Sequence, residues 1–200
     1  MARTQQQRRE DTVARLLDAS ISTIIDVGYA RASAAVITGR AGLSGGALFR
    51  HFDTMGDFMA ATAYEVLRRH LDTFSKQVAE VPPDRPVLEA VAHIVRDLTI
   101  SDNNAVMYEL MVAARTDEKL RTTLQVVLKE YEGRFLDIAR GVPTAEQYPD
   151  EVLAAVVALL LNTFDGAALW RNVLPQPELD ALRIPFLMSL LNQTDRSHDA

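Results

Sequence analysis

GYARASAAVITGRAGLSGGALFRHFDTMGDF, residues 28–58, reads as a short helix, a tight turn, a second short helix and the start of a third. Ser33 is placed to cap a helix over residues 34–41, with Val36, Ile37 and Ala41 on its packing side. Gly42 supplies the left-handed backbone that a sharp turn between helices requires. Leu43 fills the corner, Ser44 caps the next helix, and Leu48 and Phe52 point back to the core. The small or apolar residues Ile37, Thr38, Ala41, Leu43 and Leu48 surround the turn at helix-turn-helix spacing. Two helices can then cross closely, leaving the outer face of the second free for a DNA major groove.

The runs GYARAS, AGLSGGALFRHF and GDF make this segment resemble the tetracycline-repressor (TetR) family of transcriptional regulators. The resemblance covers about residues 12–59, and most of the chain lies outside it. It implies an all-α chain, with a three-helix DNA-binding head over residues 1–53 and a helical ligand-binding and dimerisation body over residues 54–200. It also implies that Ser44, Arg50 and His51 stand where family members contact phosphates or base edges. The positions expected at DNA are Arg40, Ser44, Gly45, Gly46, Ala47, Phe49, Arg50 and His51. Gly46 and Ala47 allow close approach, and Arg50 is the long donor able to make a bidentate contact to guanine. Gly45, Phe49 and Gly56 stand where relatives often carry lysine, tyrosine and lysine, so three phosphate donors are missing.

Charge distribution agrees with contact to DNA at one end only. The net charge is −6, but residues 1–53 hold seven arginines against five acidic residues, +2. The remaining 14 basic and 22 acidic residues leave residues 54–200 at −8. Apolar residues make up 48% of the chain, ample for a substantial core. The absence of cysteine excludes disulfides and thiolate chemistry. No secretory signal is visible at the N-terminus, and the longest apolar run, residues 152–161, is short for a bilayer, so a cytoplasmic location is expected.

Residues 1–9 read as a flexible arm carrying Arg3, Arg8 and Arg9, and residues 10–27 as a helix ended by Gly28. A long helix over about residues 54–80 links head to body, stopped by Pro82 and Pro83. Helices follow over about residues 85–100, with His93 on the solvated face, and over 102–115, apolar almost all round and therefore expected to be deeply buried. The next, over residues 118–140, is closed by Gly141 and Pro143. Residues 150–173 form a helix greasy on opposite sides, which calls for a second copy of the chain as partner. Residues 176–192 follow, with Pro185 expected to kink or divide them, and residues 197–200 read as a frayed tail.

The residues expected around a small, largely apolar ligand are Leu67, Met107, Tyr108, Met111, Tyr131, Phe135, Asn162 and Asp165. Those expected at a homodimer interface are Val156, Leu160, Phe164, Ala167, Trp170, Leu182 and Phe186. Neither a zinc-binding HExxH, a phosphate-binding glycine loop nor a G-x-S-x-G elbow occurs, so the sequence offers no support for catalysis and calls for no cofactor or metal. The expected function is a repressor that binds a palindromic operator as a homodimer, makes no membrane contact and is released by a small-molecule effector. A TetR-like dimer without operator binding, acting as an interaction or ligand-sequestering protein, is the alternative.

Overall fold

The computed structural model describes residues 4–198 except 83, 143, 144, 146 and 147, with side chains as far as Leu190. Arg3, Pro83, Pro143, Asp199 and Ala200 therefore lie outside the described residues. Among those described, the regular structure is helical: α1 (Gln5–Val27), α2 (Ala34–Arg40), α3 (Met55–Ala79), α4 (Val87–Thr99), α5 (Asp102–Ala114), α6 (Glu118–Arg140), α7 (Asp150–Arg171) and α8 (Pro177–His198). Single 3-10 turns occupy Tyr29–Arg31 and Leu48–Arg50. The all-α class matches the sequence expectation.

The chain forms two compact units, Met1–His70 with Asp102–Glu132 and Leu71–Ser101 with Gly133–Ala200. This grouping by compactness differs from the linear division at residues 53/54.

In the first unit, α1 packs on α2 and α5. Its core joins Leu16 and Ile24 of α1, Ile37 of α2, Leu48 of the 3-10 turn, Phe58 and Val66 of α3, and Leu110, Leu120 and Leu124. Each such side chain withdrawn from water contributes about 1.5–3 kcal/mol. Two buried hydroxyls meet there: Thr62 Oγ1 donates to Phe58 O at 3.0 Å and lies 3.0 Å from Ser20 Oγ. Gly28 ends α1 at φ 79°, and the next amide, Tyr29 N–H, donates to Glu109 Oε2 at 3.1 Å.

The N-terminal arm is shorter than expected, because α1 begins at Gln5. Thr4 and Gln7 form a capping box: Gln7 N–H donates to Thr4 Oγ1 at 3.2 Å, and Thr4 N–H to Gln7 Oε1 at 2.9 Å. Two orphan donors are satisfied at once, which holds Arg8 and Arg9 on a helix rather than a flexible strand.

His70 of α3 is buried, at 5% exposure, and its Nε2 has no hydrogen-bond partner. Desolvation pushes its pKa down to about 4 from 6.5. Between those two pH values the unfolded chain takes up a proton that the folded chain refuses. Stability is therefore expected to fall as pH drops from 6.5 towards 4, by up to about 3 kcal/mol from this group. Urea titrations across that range check it. In His70→Gln this part of the slope should vanish.

In the second unit, α4 packs against α7 and α8, and Phe74 stacks on Phe135 with ring centroids 4.2 Å apart. By length and composition α7 would suffice to cross a bilayer. Its unbroken apolar run is residues 152–161, after which Asn162 and Asp165 follow. Of the two outcomes expected at Pro185, a kink or a division, α8 excludes the division, since it continues through the proline. A proline ring inside a helix removes one backbone bond but need not end the helix. The expected tail at Ser197 and His198 is likewise within α8.

Candidate nucleic-acid interface

The turn between residues 41 and 48 is built from its buried side outward. Ser33 Oγ accepts from Val36 N–H at 3.4 Å, starting α2 as expected. Ala34, Ile37, Thr38 and Ala41 then fall on one face at helical period, and Ile37 and Thr38 are buried. Val36 lies off that face and is exposed, which corrects its expected packing role. Gly42 adopts φ 63°, the left-handed conformation expected of it. Leu43 N–H donates back to Thr38 O at 2.9 Å, and Leu43 packs partly buried against the core.

Arg15 of α1 contributes a brace that the sequence pattern did not reveal. Its Nη2 donates to Ala41 O at 2.6 Å and lies 3.4 Å from Gly42 O, across 26 and 27 residues of sequence. An arginine on the outer side of a helical stripe carries no signal that it will reach a distant turn.

The second helix of the motif differs from its expected form. Gly45–His51 is a turn followed by one 3-10 turn, Leu48–Arg50. Two consecutive glycines each weaken helix by about 1 kcal/mol relative to alanine, so seven residues cannot sustain a regular α-helix here. Ser44 closes the turn through its carbonyl, which accepts from Ala47 N–H at 2.9 Å, rather than through a hydroxyl cap. Ala47 and Leu48 turn inward and are buried. Ala47 is thereby corrected from a groove-facing position to a core one. Phe52 meets Phe58 edge to face, with ring centroids 5.0 Å apart.

What remains on the outer surface is a compact set. Ser44, Gly45, Gly46, Phe49 and Arg50 are exposed, Phe49 by 53%. A Cβ built at Gly45 or Gly46 would meet nothing within 4 Å, so open space lies in front of this backbone. Arg50 forms no hydrogen bond or ion pair with the described residues, whereas Arg40 is paired with Asp26. That exposed pair is worth about 0–1 kcal/mol and is readily exchanged for another anion. His51 is half-buried, and its Nδ1 is buried without a partner.

Beside this surface lies an open groove of about 1,200 Å³, lined in part by Arg9, Arg50, His51, Arg68 and Arg69. Arg68 donates to both oxygens of Glu65, at 2.8 and 2.9 Å, and Arg69 Nε donates to one at 2.7 Å. The hydrogen bond from Arg68, with that from Arg69, holds the Glu65 carboxyl below its usual range. Arg69 also pairs with Asp18. Arg9 and Arg50 therefore supply the unengaged positive charge of the groove. Gly56, in the first turn of α3, carries no donor, but Lys119 Nζ reaches Thr54 Oγ1 at 3.0 Å beside it.

The residues expected around a ligand are divided between the two units. Leu67, Met107 and Tyr131 share the first unit's hydrophobic cluster. Tyr108 is buried, with its hydroxyl 2.7 Å from Asn104 Nδ2. Met111 is exposed, as is Val112, which corrects the deep burial expected all round α5. In the second unit Phe135 stacks on Phe74, Asp165 is half-buried and Asn162 is exposed.

Of the residues expected at a dimer interface, Val156 and Ala167 are half-buried, and Trp170, Leu182 and Phe186 are exposed. Leu160 and Phe164 correct that expectation. They are buried inside the second unit, Phe164 to 1%, because α7 turns them towards its own neighbours.

Residues 16–62 match the family model of bacterial regulatory proteins, tetR family. The chain is 69% identical to the HTH-type transcriptional regulator Rv2912c of Mycobacterium tuberculosis, over 96% of this chain and 98% of that protein. Its fold is shared with the multidrug binding protein EbrR, solved with imidazole, at TM-score 0.66 and 22% identity over 89% and 93% of the two chains. It is shared too with the transcriptional regulator FadR from Bacillus subtilis, solved with stearoyl-CoA, at TM-score 0.64 and 20% identity over 89% and 96%.

Proposed function

The chain belongs to the tetR family of bacterial transcriptional regulators, and from that premise we propose a cytoplasmic repressor that binds a palindromic operator as a homodimer and is released by a small organic molecule. The observation that carries the DNA contact is the exposed, unpaired Arg50 on a turn whose inner residues Ile37 and Leu48 are fully buried. Such a turn fixes the backbone that carries its outer side chains, so only the side chains themselves are left to be ordered at binding. In this proposal Arg50 contacts guanine and Phe49 lies against a thymine methyl. Ser44, His51 and an Arg40 released from Asp26 meet phosphates, with Arg9 extending the contact along the groove. Gly45 and Gly46 let the DNA approach the backbone.

Dimerisation is supported by the apolar surface left open on the last two helices. Leu169 and Trp170 of α7 and Leu179, Leu182 and Phe186 of α8 are each exposed in the second unit, Trp170 by 64% and Phe186 by 63%. A second copy would cover both helices at once, as a two-fold interface does. Release follows when a bound molecule favours a separation of the two reading heads that no longer matches the half-sites. Only a molecule with different affinity for the two states achieves this.

Arg50→Ala is expected to weaken operator binding by about 1–3 kcal/mol and to relax sequence preference while leaving the dimer intact. Unchanged operator affinity in a gel-retardation titration would remove Arg50 from the contact. Gly45→Lys places a charge in open space beside the turn. It should tighten binding to all sequences and steepen the salt dependence by about one unit of log–log slope. A slope unchanged from wild type would place Gly45 away from phosphate. The interrupted second helix favours one other reading, a dimer that has lost its operator and sequesters ligand. Absence of any bound genomic fragment at low salt would support that reading.

A further inference from the structure

Between α4, α7 and α8 of the second unit lies a cavity of about 240 Å³. Arg96, Arg171 and Arg183 line it against a single lining carboxylate, Asp180, while Phe164 and Ile100 give it an apolar wall. Arg183 Nη2 bonds Asp180 Oδ1 at 2.8 Å, and Arg96 is engaged by the adjacent Asp97 at 2.7 and 2.9 Å. Arg171 has no hydrogen bond or ion pair with the described residues. Three guanidinium groups around one small cavity are unexpected in a segment, residues 54–200, whose net charge is −8.

A guanidinium presents a planar fork of donors that matches a carboxylate or phosphate oxygen pair. The apolar wall discriminates between those two anions, since a bare phosphate leaves hydrocarbon unfilled. The volume lies below the roughly 300–1,000 Å³ of drug-sized sites, so the occupant is small. We infer that this cavity is a binding site for a small organic acid, with its carboxylate on Arg171 and Arg183 and its hydrocarbon part against Phe164 and Ile100. The binding site stands on its own geometry; its role as the effector site rests on the ligand-responsive regulator proposed above. Its carboxylate would give the effector a charge that a purely apolar pocket rejects.

Isothermal titration of the full-length protein with benzoate and with hexanoate tests the site, with neutral benzamide and inorganic phosphate as comparison probes. Saturable binding of one acid per chain is expected, weakened about tenfold or more in Arg171→Gln and in Arg183→Gln. Ala167→Leu fills the cavity without altering its charge and should abolish binding. No saturable binding of either acid would overturn the site, as would equal binding of benzamide or unchanged affinity in both arginine variants. Phosphate binding as tightly as the acids would overturn the ligand class. Operator titration with and without benzoate then separates the two claims. Lowered DNA affinity makes this the effector site, whereas unchanged affinity with acid bound removes that role and leaves the site itself standing.

Discussion

Phe186→Asp is expected to convert the protein from dimer to monomer with its helix content unchanged. Phe186 stands exposed on α8 in the same unit as Trp170 and Leu182, and no described residue covers this face. Burying a phenylalanine of this kind against a second copy contributes about 1.5–3 kcal/mol, and a carboxylate in its place must be desolvated without a partner. The loss exceeds the lost contact alone. The monomer itself should fold, because the substituted side chain already faces solvent. Sedimentation velocity gives the assembly state and circular dichroism the fold. Operator affinity should fall with the dimer, by a factor of about 10²–10⁴, because two linked heads no longer share one site. A dimer of wild-type mass would take α8 out of the interface.

Phe164→Ala is expected to act in the opposite sense, on the fold rather than the assembly. Phe164 is almost completely enclosed within its own unit. Removing a buried phenylalanine side chain costs about 3–5 kcal/mol, the lost transfer free energy together with the cavity left behind. That is a large fraction of the about 5–15 kcal/mol by which domains of this size are stable. Urea denaturation should show a lower midpoint with a similar slope. A change under about 1 kcal/mol would mean that the surrounding helices close over the gap.

These two phenylalanines show where sequence legibility ends. On α7 and α8 apolar residues occur on every side, so periodicity marks both helices but cannot distinguish the face turned to their own unit from the face left open. Phe164 and Phe186 consequently look alike until the packing of α4 against both helices is known. Helices with one apolar stripe behave differently. The 3.6-residue period of residues 118–140 gives the bounds of α6, and Gly28 and Gly42 mark turns that do adopt positive φ. The helix-turn-helix segment is legible for the same reason, since Ile37 and Leu48 have one consistent inward direction. Its second helix is not, because a helical pattern of apolar residues persists through Gly45 and Gly46 while the backbone entropy of those glycines works against regular helix. Long polar side chains are the least legible of all. Neither the Arg15 brace nor the meeting of Arg96, Arg171 and Arg183 around one cavity leaves a local mark, since each depends on chain segments far apart in sequence.

Whether the protein reads an operator through Arg50 is decided by selection of genomic DNA fragments on the purified protein at low salt. A shared, near-palindromic site is expected among the retained fragments, with enrichment lost or blurred when Arg50→Ala is used in place of the wild type. Retention of no fragment by the wild-type protein, or an enriched site bound equally well by Arg50→Ala, would contradict an operator read through Arg50.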